Sequence, residues 1–139
     1  MDQRINVITL SSRDVPRSCK FYERLGWKPG HHDNEVAFFQ LHGAVLSIFE
    51  RKAFAKDSKI SLAKVKAGGV TLSQNVSSKA KVDKGIAEAK KAGAKILKKA
   101  QATFWGGYAG SFADLDGHVW EIAWNPFWKL DSKGDVRMK

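Results

Sequence analysis

The chain has 139 residues, of which 43% are hydrophobic and 27% are charged, enough to bury the core of one domain without disulfides. Its single cysteine excludes an internal disulfide, and no apolar run is long enough for a membrane span or has the flanks of a secretory signal. We therefore expect a cytoplasmic protein that makes no contact with a membrane.

The formal net charge of +10 raises the question of whether the protein binds nucleic acid. Residues 52–100 contain 13 lysines and three acidic residues, so the excess of positive charge is local. Phe54 is the one aromatic residue in that stretch, whereas proteins that bind single strands interleave stacking rings with basic residues. This pattern favours a solvated lysine surface and argues against nucleic acid as a partner.

The first half of the chain predicts a strand, a helix and two or three further strands. Residues 4–11 alternate between polar and apolar side chains and include several β-branched residues, which is typical of a strand. Asp14 is a suitable N-cap for the helix that follows, and Gly26 a suitable stop. Residues 35–41 and 44–50 predict two strands joined by a tight turn.

A short strand is also expected near Trp27. Residues 51–69 are rich in lysine and end in two glycines, which indicates a connector rather than a packed element.

The second half repeats this order. Residues 69–76 share the T-L-S core of the first strand and precede a helix that Ser77 or Ser78 can cap and Gly93 can end. A short strand is predicted at 94–97, followed by a segment rich in aromatic residues and glycine, and then a hairpin. Alignment of Gly43 with Gly117 places Ser47 opposite Glu121 at a constant offset of 74 residues.

These elements predict an α+β fold made of tandem βαβββ modules. The modules span residues 1–50 and 69–126 of a single domain over 1–139, with a connector at 51–68 and a tail at 127–139. Each module alone would leave one face of its sheet exposed to solvent. We therefore expect the modules to form a curved mixed sheet around a cavity, with the helices on the outer face.

The run D-L-D-G-H-V-W-E-I-A-W-N-P at 114–126 resembles the vicinal oxygen chelate superfamily. The opening I-N-V-I-T-L-S-S-R-D-V, the segment F-Y-E-R-L-G-W and the repeated module order carry the same resemblance up to about residue 126. This group includes glyoxalase I, bleomycin-resistance proteins, fosfomycin-resistance enzymes and extradiol dioxygenases. The resemblance implies paired modules, within one chain or across two, and a homodimer.

Metal-dependent members of that superfamily hold a divalent ion with ligands from the first and last strands of each module. The resemblance places these positions at Val7, Ser47, Thr71 and Glu121. Only Glu121 offers a carboxylate, valine cannot ligate, and neutral hydroxyls are weak ligands. We therefore predict that no metal is bound and that no other cofactor is needed.

The resemblance places the Glu121 carboxylate in the cavity, and strand alternation then predicts that Trp120 and Ile122 face the helices. Glu121 is the candidate catalytic acid or base. The residues expected to share its cavity as ligand-binding groups are Thr9, Ser47, Phe49, Thr71, Ser73 and Ser111, with Trp105 and Tyr108 at the rim. Apolar walls with a few hydroxyls suit a small organic ligand.

Three functional hypotheses follow. The first is a glyoxalase-like or bleomycin-resistance-like protein that binds a small molecule without a metal, by sequestration or with chemistry at Glu121. The second is a metal-dependent lyase, isomerase or dioxygenase with an atypical ligand set that includes Glu121. The third is a basic interaction module for an acidic partner. We favour the first, and whether the protein is an enzyme stays open.

Overall fold

Each half of the chain folds as a strand, a helix and three more strands, as the sequence predicts. The computed structural model describes residues 1–138, and their contacts form two compact units, Met1–Ala67 and a second that begins at Gly68. The first unit contains β1 (Val7–Ser12), α1 (Val15–Arg24), β2 (Pro29–His32), β3 (Val36–Gln40), β4 (Val45–Glu50) and α2 (Arg51–Ser58). A short 3-10 turn at Leu62–Lys64 follows α2.

The local sequence determines where α1 begins and which face it buries. The Asp14 carboxylate accepts a hydrogen bond from the Arg17 amide at 3.0 Å, which satisfies one of the free N–H groups of the first turn. Tyr22 is buried, and its ring lies 5.6 Å from that of Phe39 on β3. Cys19 is also buried, and burial raises the pKa of its thiol. The cysteine is therefore a core residue.

The stretch expected to be a plain connector is instead partly helical. The Glu50 carboxylate caps α2 by accepting hydrogen bonds from the amides of Lys52 and Ala53, both at 2.9 Å. Arg51 Nη2 then donates to the carbonyl oxygens of Leu62 and Val65 at 3.3 and 3.2 Å. The prediction of an unpacked connector is wrong because these side chains supply a cap and a tether that composition alone does not reveal.

The second unit repeats the first in order. It contains β5 (Thr71–Asn75), α3 (Lys79–Ala92), β6 (Lys95–Ala102), β7 (Tyr108–Ala113) and β8 (Val119–Trp124). Ser78 rather than Ser77 is the N-cap of α3, since its hydroxyl accepts from the Lys81 amide at 3.3 Å. Gly93 ends the helix with a φ of 105°, which favours glycine.

The predicted tail also has structure, because β9 (Lys129–Leu130) and β10 (Val136–Arg137) form a small antiparallel hairpin. No helix in the described part of the chain is long and apolar enough to cross a membrane.

The two sheets have the same strand order. The first is β1-β4-β3-β2 and the second is β5-β8-β7-β6, each with one parallel and two antiparallel pairings. Within the second, α3 packs so closely on the sheet that a Cβ on Gly85 would overlap the Ile122 side chain. Ile122 therefore faces α3, and its strand neighbour Glu121 points to the opposite face, away from α3.

Candidate functional site

Glu121 lies at the centre of a row of polar residues on the face of the second sheet away from α3. On β8 it pairs with Ser73 of β5 on one side and with Ser111 of β7 on the other. Residues paired across neighbouring strands project to the same face. The register thus brings together three of the predicted site residues, and Ile122 faces a helix as predicted, with Glu121 on the other side of the sheet.

The Glu121 carboxylate makes a single hydrogen bond within residues 1–138. Ser73 Oγ donates to Glu121 Oε1 at 3.3 Å, a long hydrogen bond. Within residues 1–138 this is the one hydrogen bond or ion pair of that carboxylate, so no lysine or arginine neutralises it there. An ionised carboxylate can accept about four hydrogen bonds, and Glu121 therefore keeps most of its acceptor capacity for a ligand.

Thr71 and three alanines extend the same face. Thr71 pairs with Val119, one step along from the Glu121 row. Ala109 and Ala123 pair with each other and are buried, as is Ala113 beside Val119. This part of the face therefore combines small apolar side chains with hydroxyl groups.

Trp105 reaches this face from the turn before β7. Thr103 closes the turn by accepting a hydrogen bond from the Gly107 amide on its Oγ1 at 2.9 Å and by donating its own amide to the Gly107 carbonyl at 3.0 Å. A Cβ on Gly107 would overlap the Trp105 ring. The ring therefore occupies the side-chain position of Gly107, which alternation places on the same face as Ser111.

Tyr108 lies on the opposite face, contrary to the prediction that it rims the cavity. Its hydroxyl donates to Asp83 Oδ1 of α3 at 2.8 Å, and this hydrogen bond raises the pKa of the Tyr108 hydroxyl. Lys79 Nζ lies 5.9 Å from the centre of the Tyr108 ring and 5.4 Å from that of Trp124. The physical reason is strand parity, since Tyr108 and Ser111 are three residues apart on one strand.

The remaining predicted site residues belong to the first unit. Thr9 on β1 pairs with Ser47 on β4, and Ser47 also pairs with Phe38 on β3. Ser47 is buried although it lies on the face away from α1. Phe49 is on that face too, and its ring lies 6.4 Å from the Phe54 ring of α2.

The residues at the metal positions that the resemblance assigns do not suit a divalent ion. Val7 has no donor atom and is 53% exposed. Ser47 and Thr71 offer neutral hydroxyls, which leaves Glu121 as the one strong ligand. In the described residues, no three or more His, Cys, Asp or Glu side chains are grouped closely enough to hold a metal ion.

Sequence reasoning missed Lys98, which extends the polar row to the edge of the sheet. Lys98 on β6 pairs with Ser111 and is half-buried. The predicted strand ended at residue 97, and the lysine was counted with the solvated surface. The signal that could have found it is the continued strand pattern of the segment up to residue 102.

A groove of about 520 Å³ opens on the α3 side of the same sheet. It is lined by residues of α3, β6 and the turn between them, namely Asp83, Ile86, Ala87, Lys90, Ala94, Ile96, Lys99 and Ala100. This groove lies on the face opposite Glu121, and the sequence did not predict it.

Comparison with known proteins relates this architecture to one family. The sequence model of the Glyoxalase/Bleomycin resistance protein/Dioxygenase superfamily matches residues 4–122. A solved structure of a glyoxalase-related enzyme from Fulvimarina pelagi is 34% identical, with a TM-score of 0.91 over 98% of each chain. A hypothetical protein from S. aureus is 26% identical, with a TM-score of 0.77 over 90% of this chain and 95% of that chain.

A lactoylglutathione lyase from Agrobacterium tumefaciens is 17% identical, with a TM-score of 0.71 over 92% of this chain and 98% of that chain. At this identity the likeness shows the fold alone. No curated protein sequence matches the chain.

Proposed function

The chain belongs to the glyoxalase/bleomycin resistance protein/dioxygenase superfamily, and from this premise we propose that it binds a small organic molecule on the face of its second sheet away from α3. The observation that carries the proposal is the placement of the Glu121 carboxylate between Ser73 and Ser111, with most of its hydrogen-bonding capacity unused in residues 1–138. The Trp105 ring adds an apolar surface on the same face. A few polar groups beside apolar surface are typical of small-molecule sites.

Each of these groups has a distinct task in binding. Glu121 accepts hydrogen bonds from the ligand or removes a proton from it, and the hydroxyls of Ser73 and Ser111 fix its orientation. Trp105 buries the apolar part of the ligand. Hydrogen bonds to a charged acceptor are stronger than neutral ones, so Glu121 supplies the largest polar contribution.

We propose further that the bound molecule is held without the metal of the superfamily's metal-dependent members. Support comes from the chemistry of the donor set, since three of the four expected positions are valine, serine and threonine. The test is elemental analysis of untagged protein after incubation with nickel, zinc, manganese or ferrous iron. We expect no stoichiometric metal. About one metal per chain that is lost in Glu121→Gln would support the metal-dependent lyase, isomerase or dioxygenase instead.

A thermal-shift screen of small organic molecules tests the binding site directly. A hit should raise the Tm of the wild type, and Ser111→Trp should abolish the shift by filling the face beside Glu121. The matched control is Phe38→Trp, which changes the corresponding residue of the first sheet. A shift that survives Ser111→Trp but is lost in Phe38→Trp would move the site to the first unit.

We also propose that the protein is a cytoplasmic homodimer. In the first unit Val7 and Phe38 are 53% and 38% exposed on the sheet face away from α1, and apolar sheet faces are normally covered. Sedimentation equilibrium should give twice the chain mass, whereas a monomer at all concentrations would contradict the dimer. Localisation of a tagged chain by cell fractionation tests the compartment.

A further inference from the structure

We propose that this site selects a dipolar ligand, with a protonated amine held by Glu121 and a carboxylate held by Lys98. The inference rests on the proposed function and adds the ligand class. It also assigns Lys98 as a second binding residue. The chemical class is an aminocarboxylate of about dipeptide length that carries an aromatic side chain.

Lys98 lies in register with a residue of the Glu121 face. Ile96 pairs with Phe112, Lys98 with Ser111 and Gln101 with Ala109, so β6 carries an extra residue on each side of Lys98. Such bulges redirect side chains. Lys99 and Ala100 line the groove on the α3 side, whereas Lys98 shares its register with Ser111 on the Glu121 face.

Both charges also lack a protein partner. Neither a hydrogen bond nor an ion pair engages the Lys98 ammonium within the described part of the chain. Over the same residues Ser73 is the one partner of the Glu121 carboxylate. Both side chains are half-buried, so each gains from a ligand group of opposite charge that replaces lost water.

The spacing of these residues bears on the length of the ligand. Lys98, Ser111 and Glu121 lie on three consecutive strands, and strands are about 4.8 Å apart, which puts the outer two backbones about 10 Å apart. An extended chain spans about 3.5 Å per residue, so the charged ends of a dipeptide are about 7 Å apart. The flexible Lys98 and Glu121 side chains can close the difference, with Ser111 between them.

The aromatic part follows from Trp105, whose ring lies on this face beside β7. Aromatic pairs stabilise contacts beyond the area they bury. An indole or phenyl side chain on the ligand would therefore contact the Trp105 ring while the two charges are held.

The test uses glycyl-tryptophan and two blocked forms, N-acetyl-glycyl-tryptophan and glycyl-tryptophan amide, titrated by NMR into the folded chain. The wild type should bind the dipolar probe about tenfold or more tightly than either blocked form, because each lacks one charged contact. Glu121→Gln should remove the preference over the acetylated form only, and Lys98→Gln the preference over the amide only.

Two variants serve as controls. Lys99→Gln removes the neighbouring charge that lines the α3 groove, and Glu88→Gln removes a carboxylate of α3 that pairs with Lys84 at 3.8 Å. Both should keep the wild-type preferences. Amide spectra of all variants establish that they are folded.

Equal affinity for the three probes, or no binding of the dipolar one, would overturn the ligand class. Preferences that neither Glu121→Gln nor Lys98→Gln alters would overturn the assignment of these residues. If a neutral molecule from the thermal-shift screen binds and depends on Glu121 and Ser111, the proposed function stands and only the ligand class fails. If no molecule binds this face, both fail.

Discussion

The two sheets of the chain share one scaffold but carry different chemistry at equivalent positions. In the first sheet, one row across the face away from α1 is Thr9, Ser47, Phe38 and His31. The corresponding row of the second sheet is Ser73, Glu121, Ser111 and Lys98. The first row is neutral apart from a histidine at its edge, whereas the second combines an acid, a base and two hydroxyls.

The rows that face the helices show no such difference. Phe39 pairs with Leu46 in the first sheet, and Phe112 pairs with Trp120 in the second. Packing against a helix requires apolar side chains in both units, while the other face is free to diverge. The repeated fold is therefore a common scaffold, and the two units differ in the charged and hydroxyl side chains on the sheet face that does not pack against α1 or α3.

The largest effect should come from opening the core of the first unit. Phe39 is buried and contacts the rings of Tyr22 and Trp27, so Phe39→Ala should lower the free energy of unfolding by about 3–5 kcal/mol. Urea denaturation measures this. Phe38→Ala, on the other face and 38% exposed, should cost less than about 1 kcal/mol. Similar losses for both would contradict the assignment of faces.

The second prediction compares substitutions at equivalent positions of the two rows. Glu121→Gln should weaken binding of a screened ligand by about tenfold to a hundredfold, since a charge-assisted hydrogen bond contributes about 1.5–3 kcal/mol. Ser47→Ala, the equivalent position of the first sheet, should change affinity by about twofold or less. Isothermal titration of both variants checks this, and a larger loss for Ser47→Ala would reverse the comparison.

A smaller effect concerns the N-cap of α3. Ser78→Ala removes the hydroxyl that accepts from the Lys81 amide at 3.3 Å and should lower the free energy of unfolding by about 1 kcal/mol. The neighbouring Ser77 hydroxyl instead accepts a hydrogen bond from the exposed Lys81 ammonium, at 2.8 Å. Thermal denaturation of Ser77→Ala should therefore be close to wild type, and equal losses would show that the cap is shared.

The smallest effect concerns pH and the cap of α2, a helix that has no counterpart between β8 and residue 138. Hydrogen bonds from the backbone amides, that of Lys52 above all, lower the pKa of Glu50 in the folded chain. The stabilisation is therefore present above the unfolded pKa and is lost as pH falls through the folded pKa. The Tm difference between wild type and Glu50→Gln should shrink from about pH 7 to about pH 3. A constant difference would contradict this role.

The parts of the fold that depend on local sequence could be predicted. The N-caps and glycine stops of α1 and α3 and the tandem order of the elements follow from short-range rules. The placement of Glu121 and Ile122 on opposite faces of the sheet also follows, because strand parity is local. Helix α2 was missed, since its cap is a glutamate at the end of a strand and its tether joins Arg51 to a turn more than ten residues away.

The candidate site could be predicted only in part. Ser73, Ser111 and Glu121 are brought together because their strands have regular pairing. Tyr108 was misplaced because it was grouped with Trp105 by its aromatic character rather than by its strand parity. Lys98 was missed because two bulges in β6 shift its register, and bulges depend on the partner strand, which a single segment does not reveal.

NMR mapping of a ligand found in the thermal-shift screen tests the central claim most directly. Titration into 15N-labelled protein should move the amide signals of Ser73, Ser111 and Glu121, with smaller changes along the first sheet. The same titration with Glu121→Gln should need about tenfold or more ligand for half-saturation. Shifts confined to the groove between α3 and β6, or to the row that contains Ser47, would contradict a binding site at Glu121.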